Sequence, residues 1–434
     1  MASEELNPVY EELMRNYNAE LTHSGVNGER LAKRLHELSF IGYTQVGGVK
    51  RPGLSDKEQK AKELVKSWMA EAGLSVTEDG AGNVKGRLDG KDSAGRAIAS
   101  GSHVDSVPNG GNFDGPLGVL SALEVVEAWK ETGYVPPKPY EVIIFTDEEG
   151  SRFNSGLSGS RAMTGDISEE EMNQLRDYNG ETLEQVLERY GSSLEAFKKA
   201  KRDVAELELF VEVHIEQGKK LEQADQPVGI VNGIAGPAWL EVEFTGEAGH
   251  AGNTPMIGRK DPLVAAAAFI QKIPEFPSLV SETAVATVGK LEVSPNGINV
   301  IPEKVTLHVD IRDIYESPRD QLLDRIVQEA ESIAATHQIE LLVKQNTKIQ
   351  PVPIDDELQA QLADSLKKFD IVPVYIPSGA GHDAMILGRH IPVAMLFVRS
   401  KDGISHNPKE WSSLNDCIAG IHVLKDFIEK KMEQ

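Results

Sequence analysis

Gly101-Ser102-His103-Val104-Asp105-Ser106-Val107-Pro108-Asn109-Gly110-Gly111-Asn112-Phe113-Asp114-Gly115 is the stretch that decides how this chain is read. An apolar run ends in a histidine, and a Gly/Asn/Pro-rich loop with two carboxylates follows it. Leu117 to Lys130 then reads as a helix starting directly after the loop. Strand, polar loop, helix is the α/β pattern, which sets functional side chains at the carboxyl ends of strands.

The arrangement recurs downstream. Tyr140 to Thr146 reads as a strand after a Pro-rich loop and runs into Asp147-Glu148-Glu149-Gly150. Phe210 to Ile215 is another apolar run, carrying His214 and followed by Glu216-Gln217-Gly218. Segments 74–88 and 97–104 also read as strands. Glu29–Leu38 and Ser55–Ala72 read as helices, the second with Ser55 as N-cap and Gly73 as C-cap.

Near residue 233 the pattern changes. Ala238–Thr245 alternates as a strand, and Asp261–Lys272 is an Ala-rich helix. Thr283–Val293 and Lys304–Asp313 read as strands around Ser294-Pro295-Asn296-Gly297, followed by helix Pro318–His337 and strand Ile339–Lys344. That order, β-α-β-β-α-β, is the one a ferredoxin-like sandwich uses. Helix 355–369 and strand 392–398 come after it. The expected fold is α/β. A catalytic domain with a central mixed β-sheet flanked by helices (1–232 and 348–434) is interrupted by an inserted α+β ferredoxin-like domain (233–347).

Bulk properties narrow the function. The 434 residues exceed one ordinary core, so two domains are expected. A formal charge of −23 without a long basic run argues against nucleic acid and anionic membranes as partners. The longest apolar run, Leu263–Ile270, is too short to cross a bilayer. Met1–Asn18 lacks the apolar core of a secretory signal, and the single Cys417 rules out an internal disulfide framework. A reducing cytoplasm is the expectation.

His103, Asp114, Glu149, His214 and His406 are the candidate metal ligands. Each has an ordinary reading: a lone histidine is commonly a packing residue, Asp114 before a helix could be an N-cap, and Glu148-Glu149 could be a solvated turn. Their shared setting, after strands or in polar loops, favours ligation of two metal ions bridged by one carboxylate. A spare glutamate would then move protons. Asp105, two residues after His103, suits the carboxylate that receives a ligand imidazole's second N–H. Such a set points to a hydrolase that makes hydroxide at neutral pH.

With these residues in place, the chain resembles the amidase/hydantoinase/carbamoylase branch of the dinuclear-zinc aminoacylase-type metallohydrolases. The matching motifs include Gly101-Ser102-His103-Val104-Asp105, Asn109 to Gly115, Glu148 to Phe153, and His214 to Gly218. Others are Gly249 to Met256, Asn299-Val300-Ile301-Pro302, Ser378 to Asp383, and Asp402 to His406. One departure is Gly249, where the family often has a small or acidic residue before the central histidine. The resemblance implies that Asp114 bridges two divalent ions. His103 and His214 would complete one metal, Glu149 and His406 the other. Zinc is expected, with Mn²⁺ and Co²⁺ compatible.

By the same resemblance Glu148 is the general base. His250, from the chain itself or a partner subunit, stabilises the oxyanion. Arg312 holds the substrate carboxylate, with Asn299, Gln217 and Gly379 as further substrate contacts. The inserted domain is implied to act as a lid and to carry a homodimer interface. The implied reaction is hydrolysis of the carbamoyl C–N bond of N-carbamoyl-L-amino acids to amino acid, carbon dioxide and ammonia. Allantoate and β-ureidopropionate hydrolysis are sister activities. A di-zinc aminopeptidase or N-acyl amino acid deacylase is the reading from further away.

Overall fold

The computed structural model describes residues 9–434, so the first eight residues of the signal-peptide reading lie outside it. The chain divides into two compact units. The first comprises Met1–Asn232, Ile354–Ile376 and His382–Gln434; the second comprises Gly233–Pro353 and Pro377–Gly381. Segments 348–353 and 377–381, both assigned from sequence to the first unit, therefore group with the second.

A mixed sheet forms the middle of the first unit. Its strands run in the order Ser75–Glu78, Val84–Leu88, Tyr140–Phe145, Ala97–His103, Leu207–Ile215, Val393–Val398, Val228–Ile234. Ala97–His103 is parallel to both Tyr140–Phe145 and Leu207–Ile215, and Val393–Val398 is parallel to Leu207–Ile215. The two strands at one edge and Val228–Ile234 are antiparallel. Every residue of the strands 97–103, 140–145 and 393–398 is buried, as expected of sheet centres covered on both faces. The helix Pro116–Thr132 is buried from Pro116 through Trp129, which fits its apolar character on all sides. It packs against strands 97–103 and 207–215 and against the C-terminal helix Leu414–Met432.

The carboxyl ends of the parallel strands share one end of the sheet, since His103 pairs with Phe145 and His214 with Phe397. The loops that carry chemistry in doubly wound folds leave from that end.

Two expectations need correction. Segment 74–88 is a hairpin, not one strand. Asp79 breaks it: its Oδ1 accepts the N–H groups of Ala81 and Asn83, both at 2.9 Å, and folds the chain back. The region 158–198, left unassigned from sequence, holds four short helices: Ser158–Thr164, Glu169–Gln174, Leu183–Tyr190 and Leu194–Lys198. Their apolar residues, among them Met172, Leu183, Leu187 and Phe197, form a satellite core with Leu54 and Phe153. Helices this short give little periodicity to read.

The second unit is a four-stranded antiparallel sheet in the order Glu340–Lys348, Gly236–Thr245, Lys304–Asp313, Val285–Ser294. Helices Pro262–Lys272 and Glu316–His337 supply the apolar side chains that pack on one face of it. Strand 304–313 alternates strictly, with Val305, Leu307, Val309 and Ile311 buried and the even-numbered residues partly or fully exposed. A two-residue ribbon, Gly249–His250 paired with Val300–Ile301, lies outside this sheet.

Candidate metal centre and active site

Asp114 is the hub of the first unit's site. Its Oδ1 lies 3.1 Å from His214 Nε2 and 3.5 Å from His103 Nε2. Its Oδ2 lies 3.4 Å from His406 Nε2, which is itself 3.3 Å from Glu149 Oε2. Two triads result, His103–Asp114–His214 and Asp114–Glu149–His406, each with ligand atoms within 4.8 Å of one another. All five side chains come from loops and strand ends at one end of the sheet or from the segment before the C-terminal helix.

The local chemistry explains the placement. Gly115 has φ +81°, and a Cβ there would lie 2.5 Å from the His103 ring, so only glycine lets the Asp114 loop pass the imidazole. Asp114 is not an N-cap: Gly115 holds that position for helix 116–132, with no side-chain cap bond.

The imidazoles are oriented for ligation. His103 Nδ1 faces the carbonyl of Asp105 at 3.2 Å, and His214 Nδ1 faces that of Ile215 at 3.0 Å. Those carbonyls require an N–H at Nδ1, which leaves each neutral ring's Nε2 lone pair pointing at a carboxylate oxygen. Lone pair against lone pair at 3.1–3.5 Å repels unless a cation or a proton sits between them. His103 Nε2 is buried and has no hydrogen-bond partner. The residues present therefore fit divalent cations, with an imidazole and carboxylate donor set.

The field of the protein alone is consistent with that fit. Burial opposes charge on His103, but Glu148, Asp105 and Asp114 outweigh it and hold the ring well above its usual pKa. His406 rises to about 9, through its bond to Asp114 and the charge of Glu149. Burial, then the charge of Asp114, pushes Glu149 to about 8. Burial raises Asp114 too, yet the histidines around it prevail and hold it well below the carboxylate range.

Glu148 lies largely covered beside the first triad, its side chain 9% exposed and its Oε2 3.6 Å from His103 Nε2. Burial foremost, with Asp383 and Glu149, pushes its carboxyl well above the usual range. Asp105 plays a wider part than the sequence implied. Its carboxylate lies 3.4 Å from His103 Nδ1, while its two oxygens accept the backbone N–H groups of Glu148 at 3.1 Å and Glu149 at 3.2 Å. One side chain thus ties the histidine loop to the glutamate loop. The Gln217 amide donates to Asp114 Oδ2 at 2.8 Å and to Ser405 Oγ at 3.2 Å, so it is placed on the aspartate that the two triads share.

Sequence reading missed Glu410 and Ser405. Glu410 Oε1 accepts the N–H groups of Phe113 and Asp114, and its Oε2 accepts the Ser405 hydroxyl. Ser405 also contacts Asp114 Oδ2 at 2.8 Å. A Cβ on Gly111 would sit 2.2 Å from the Glu410 carboxylate, so that glycine makes room for it. Proximity to His406 was the only signal available. His382, left out from sequence, packs its ring 4.5 Å from that of His214.

The remaining predicted residues are in the second unit. His250 Nδ1 accepts the N–H groups of Gly252 at 3.1 Å and Asn253 at 3.2 Å, which places the proton of the neutral ring on Nε2 and leaves an exposed donor. Asn299 lies on the other side of that ribbon, its carbonyl accepting Ala251 N–H at 3.0 Å. Arg312 pairs with Asp310 and with the Gly379 carbonyl.

Two adjoining imidazole–carboxylate triads that share one aspartate define a metal-dependent hydrolase. Residues 99–430 match the model of peptidase family M20/M25/M40, and the chain belongs to this family. It is 44% identical over 399 residues to an N-carbamoyl-L-amino acid amidohydrolase of Geobacillus stearothermophilus, covering 92% of this chain and 97% of the other. An allantoate amidohydrolase of Bacillus subtilis is 37% identical, covering 91% and 95%. Among solved structures, an amidase of the hydantoinase/carbamoylase family from Burkholderia multivorans superposes with a TM-score of 0.88 at 35% identity, over 94% of this chain and 99% of that one.

Proposed function

We propose that this metal-dependent amidohydrolase cleaves the carbamoyl C–N bond of N-carbamoyl-L-amino acids, with water giving the L-amino acid, carbon dioxide and ammonia. The carrying observation is Asp114, which offers one oxygen to each of two candidate ligand triads beside the largely covered Glu148. His103, His214 and Asp114 would hold one cation, and Asp114, Glu149 and His406 the other. Zinc is the first candidate by donor type, with Mn²⁺ and Co²⁺ compatible. Such ions would supply Lewis acidity there, lowering the pKa of the attacking water and drawing charge from the scissile carbonyl.

The chain's own groups do the rest. Glu148 takes the proton of the attacking water and delivers it to the leaving nitrogen. Its carboxylate oxygen lies 3.6 Å from His103 Nε2, beside the first triad, where an attacking water would sit. His250 offers its Nε2–H to the developing oxyanion. Arg312 holds the substrate carboxylate, because a guanidinium presents parallel N–H groups to two oxygens. Asn299 and Gly379 add polar contacts in the second unit. Gln217 serves through its hold on Asp114.

The names of the relatives favour the carbamoyl substrate, 44% identity against 37% for the allantoate enzyme. A panel of N-carbamoyl-L-methionine, its D-enantiomer, allantoate and N-carbamoyl-β-alanine tests the reading. Turnover of the first above all others is expected. Preference for allantoate, or activity confined to dipeptides or N-acyl amino acids, would overturn it.

A further inference from the structure

We infer that Asp310, anchored by Trp239, is a positioning residue that presets Arg312 to receive a carboxylate end-on; this rests on the carboxylate-holding role proposed for Arg312. Asp310 and Arg312 are two residues apart on strand 304–313, so their side chains leave the same face. Trp239 is the direct cross-strand partner of Asp310.

The hydrogen bonds account for the guanidinium donor by donor. Arg312 has five N–H groups. Nε donates to Asp310 Oδ1 at 2.8 Å and Nη2 to Asp310 Oδ2 at 2.7 Å, a side-on bidentate pair. Nη1 donates to the Gly379 carbonyl at 2.5 Å. One N–H on each terminal nitrogen remains, and that end-on pair matches the two oxygens of a carboxylate. Asp310 is itself held, since its Oδ2 also accepts Trp239 Nε1–H at 3.1 Å.

Two consequences follow. Arginine side-chain freedom is removed before substrate arrives, so binding does not have to freeze it. The negative Asp310 also blocks the side-on edge, so a carboxylate can approach from one direction only. A plain surface ion pair, the ordinary reading of Asp310–Arg312, would contribute little to stability and nothing to substrate affinity.

Steady-state kinetics on the metal-loaded full chain separate the two, using N-carbamoyl-L-methionine with wild type, Arg312→Ala, Asp310→Ala, the double variant and Trp239→Phe. Metal content and thermal melts are recorded for each. Arg312→Ala is expected to raise KM strongly, and Asp310→Ala to raise KM about tenfold with kcat changed less than threefold. In the Arg312→Ala background, Asp310→Ala should add nothing, because its effect runs through the guanidinium. Trp239→Phe keeps a ring, drops the N–H, and should raise KM by two- to fivefold; it carries the test if Asp310→Ala does not fold. An unchanged KM for Arg312→Ala overturns the carboxylate reading and this inference with it. A raised KM for Arg312→Ala alone, with Asp310→Ala and Trp239→Phe within experimental error of wild type, overturns only the inference. So does an Asp310→Ala effect that persists undiminished without Arg312.

Discussion

Glu410 accepts the backbone N–H of Asp114 at 3.0 Å from a position 296 residues further along the chain. The same oxygen accepts Phe113 N–H at 2.9 Å, so one buried carboxylate fixes the backbone of the aspartate shared by both triads. Glu410→Ala should leave both N–H groups unsatisfied, at a cost of about 1–3 kcal/mol each. Metal affinity should fall about 10–100-fold, the usual range for lost support behind a ligand. Chelator competition on the purified variant measures it. Unaltered affinity would assign Glu410 to folding alone.

Glu148→Gln keeps the side chain's shape and removes its basicity. Turnover should drop about 10²–10⁴-fold, the range general-base catalysis contributes. Bound metal should stay at the wild-type level, because Glu148 belongs to neither triad. Activity near wild type would take the proton-transfer role away from Glu148.

Stripping divalent ions with a chelator should abolish activity and lower the melting temperature, since the Nε2 lone pairs of His103 and His214 then face Asp114 oxygens without a cation between them. Adding back Zn²⁺, Mn²⁺ or Co²⁺ should restore both, by mass action on the folded state. The rank order of restored rates identifies the preferred ion. Full activity after exhaustive chelation would remove the metal-dependent mechanism.

Lys62 and Glu58 form an ion pair of 2.8 Å that is 1% and 0% exposed. Glu58 also accepts the backbone N–H groups of Leu54 and Asp147, and Lys62 donates to Thr146 Oγ1. Lys62→Met strands a buried carboxylate and should destabilise the fold by about 3–5 kcal/mol. Lys62→Met with Glu58→Gln should recover part of that loss. Denaturant melts of both variants compare them directly.

His422 makes stability depend on acid. It is buried, stacks on the His23 ring at 4.1 Å, lies against Phe369, and donates Nε2–H to the Leu21 carbonyl. Burial first, then His23 and Lys425, hold its folded pKa down at about 4, against the Leu21 bond. Above pH 6.5 the ring is neutral in both states and nothing is lost. Between about 6.5 and 4 only the unfolded chain takes the proton, so stability falls with pH there, by on the order of 2 kcal/mol at pH 5. His422→Gln should flatten that slope in melts recorded from pH 7.5 to 5. An equal slope would place the acid sensitivity elsewhere.

The site was largely legible before any coordinates. His103, His214 and the Glu148-Glu149 pair follow apolar runs, and a strand's carboxyl end is a local pattern that sequence records. Asp114 was ambiguous between cap and ligand because both readings use the same loop-to-helix step. The structure settles its placement through Gly115, whose positive φ lets the loop turn its side chain towards the histidines. Segment 74–88 was misread because Asp79 bends it through side-chain bonds to the backbone, which hydrophobic alternation does not register. The helices between 158 and 198 were missed because their apolar residues serve a small shared core and not a long periodic face.

Sequence by itself determined most of the element types, the two-part α/β and α+β composition, and the five candidate ligand side chains that the fold gathers around Asp114. Those depend on periodicity, capping and loop chemistry within a few residues. Only the tertiary structure decided which Asp114 oxygen faces which triad, that Glu410 holds the Asp114 backbone, and that Gly379 meets Arg312. Each of these joins segments tens to hundreds of residues apart. Their contact arises from how the strands order in the sheets and how the chain closes over long loops, and no local pattern encodes that.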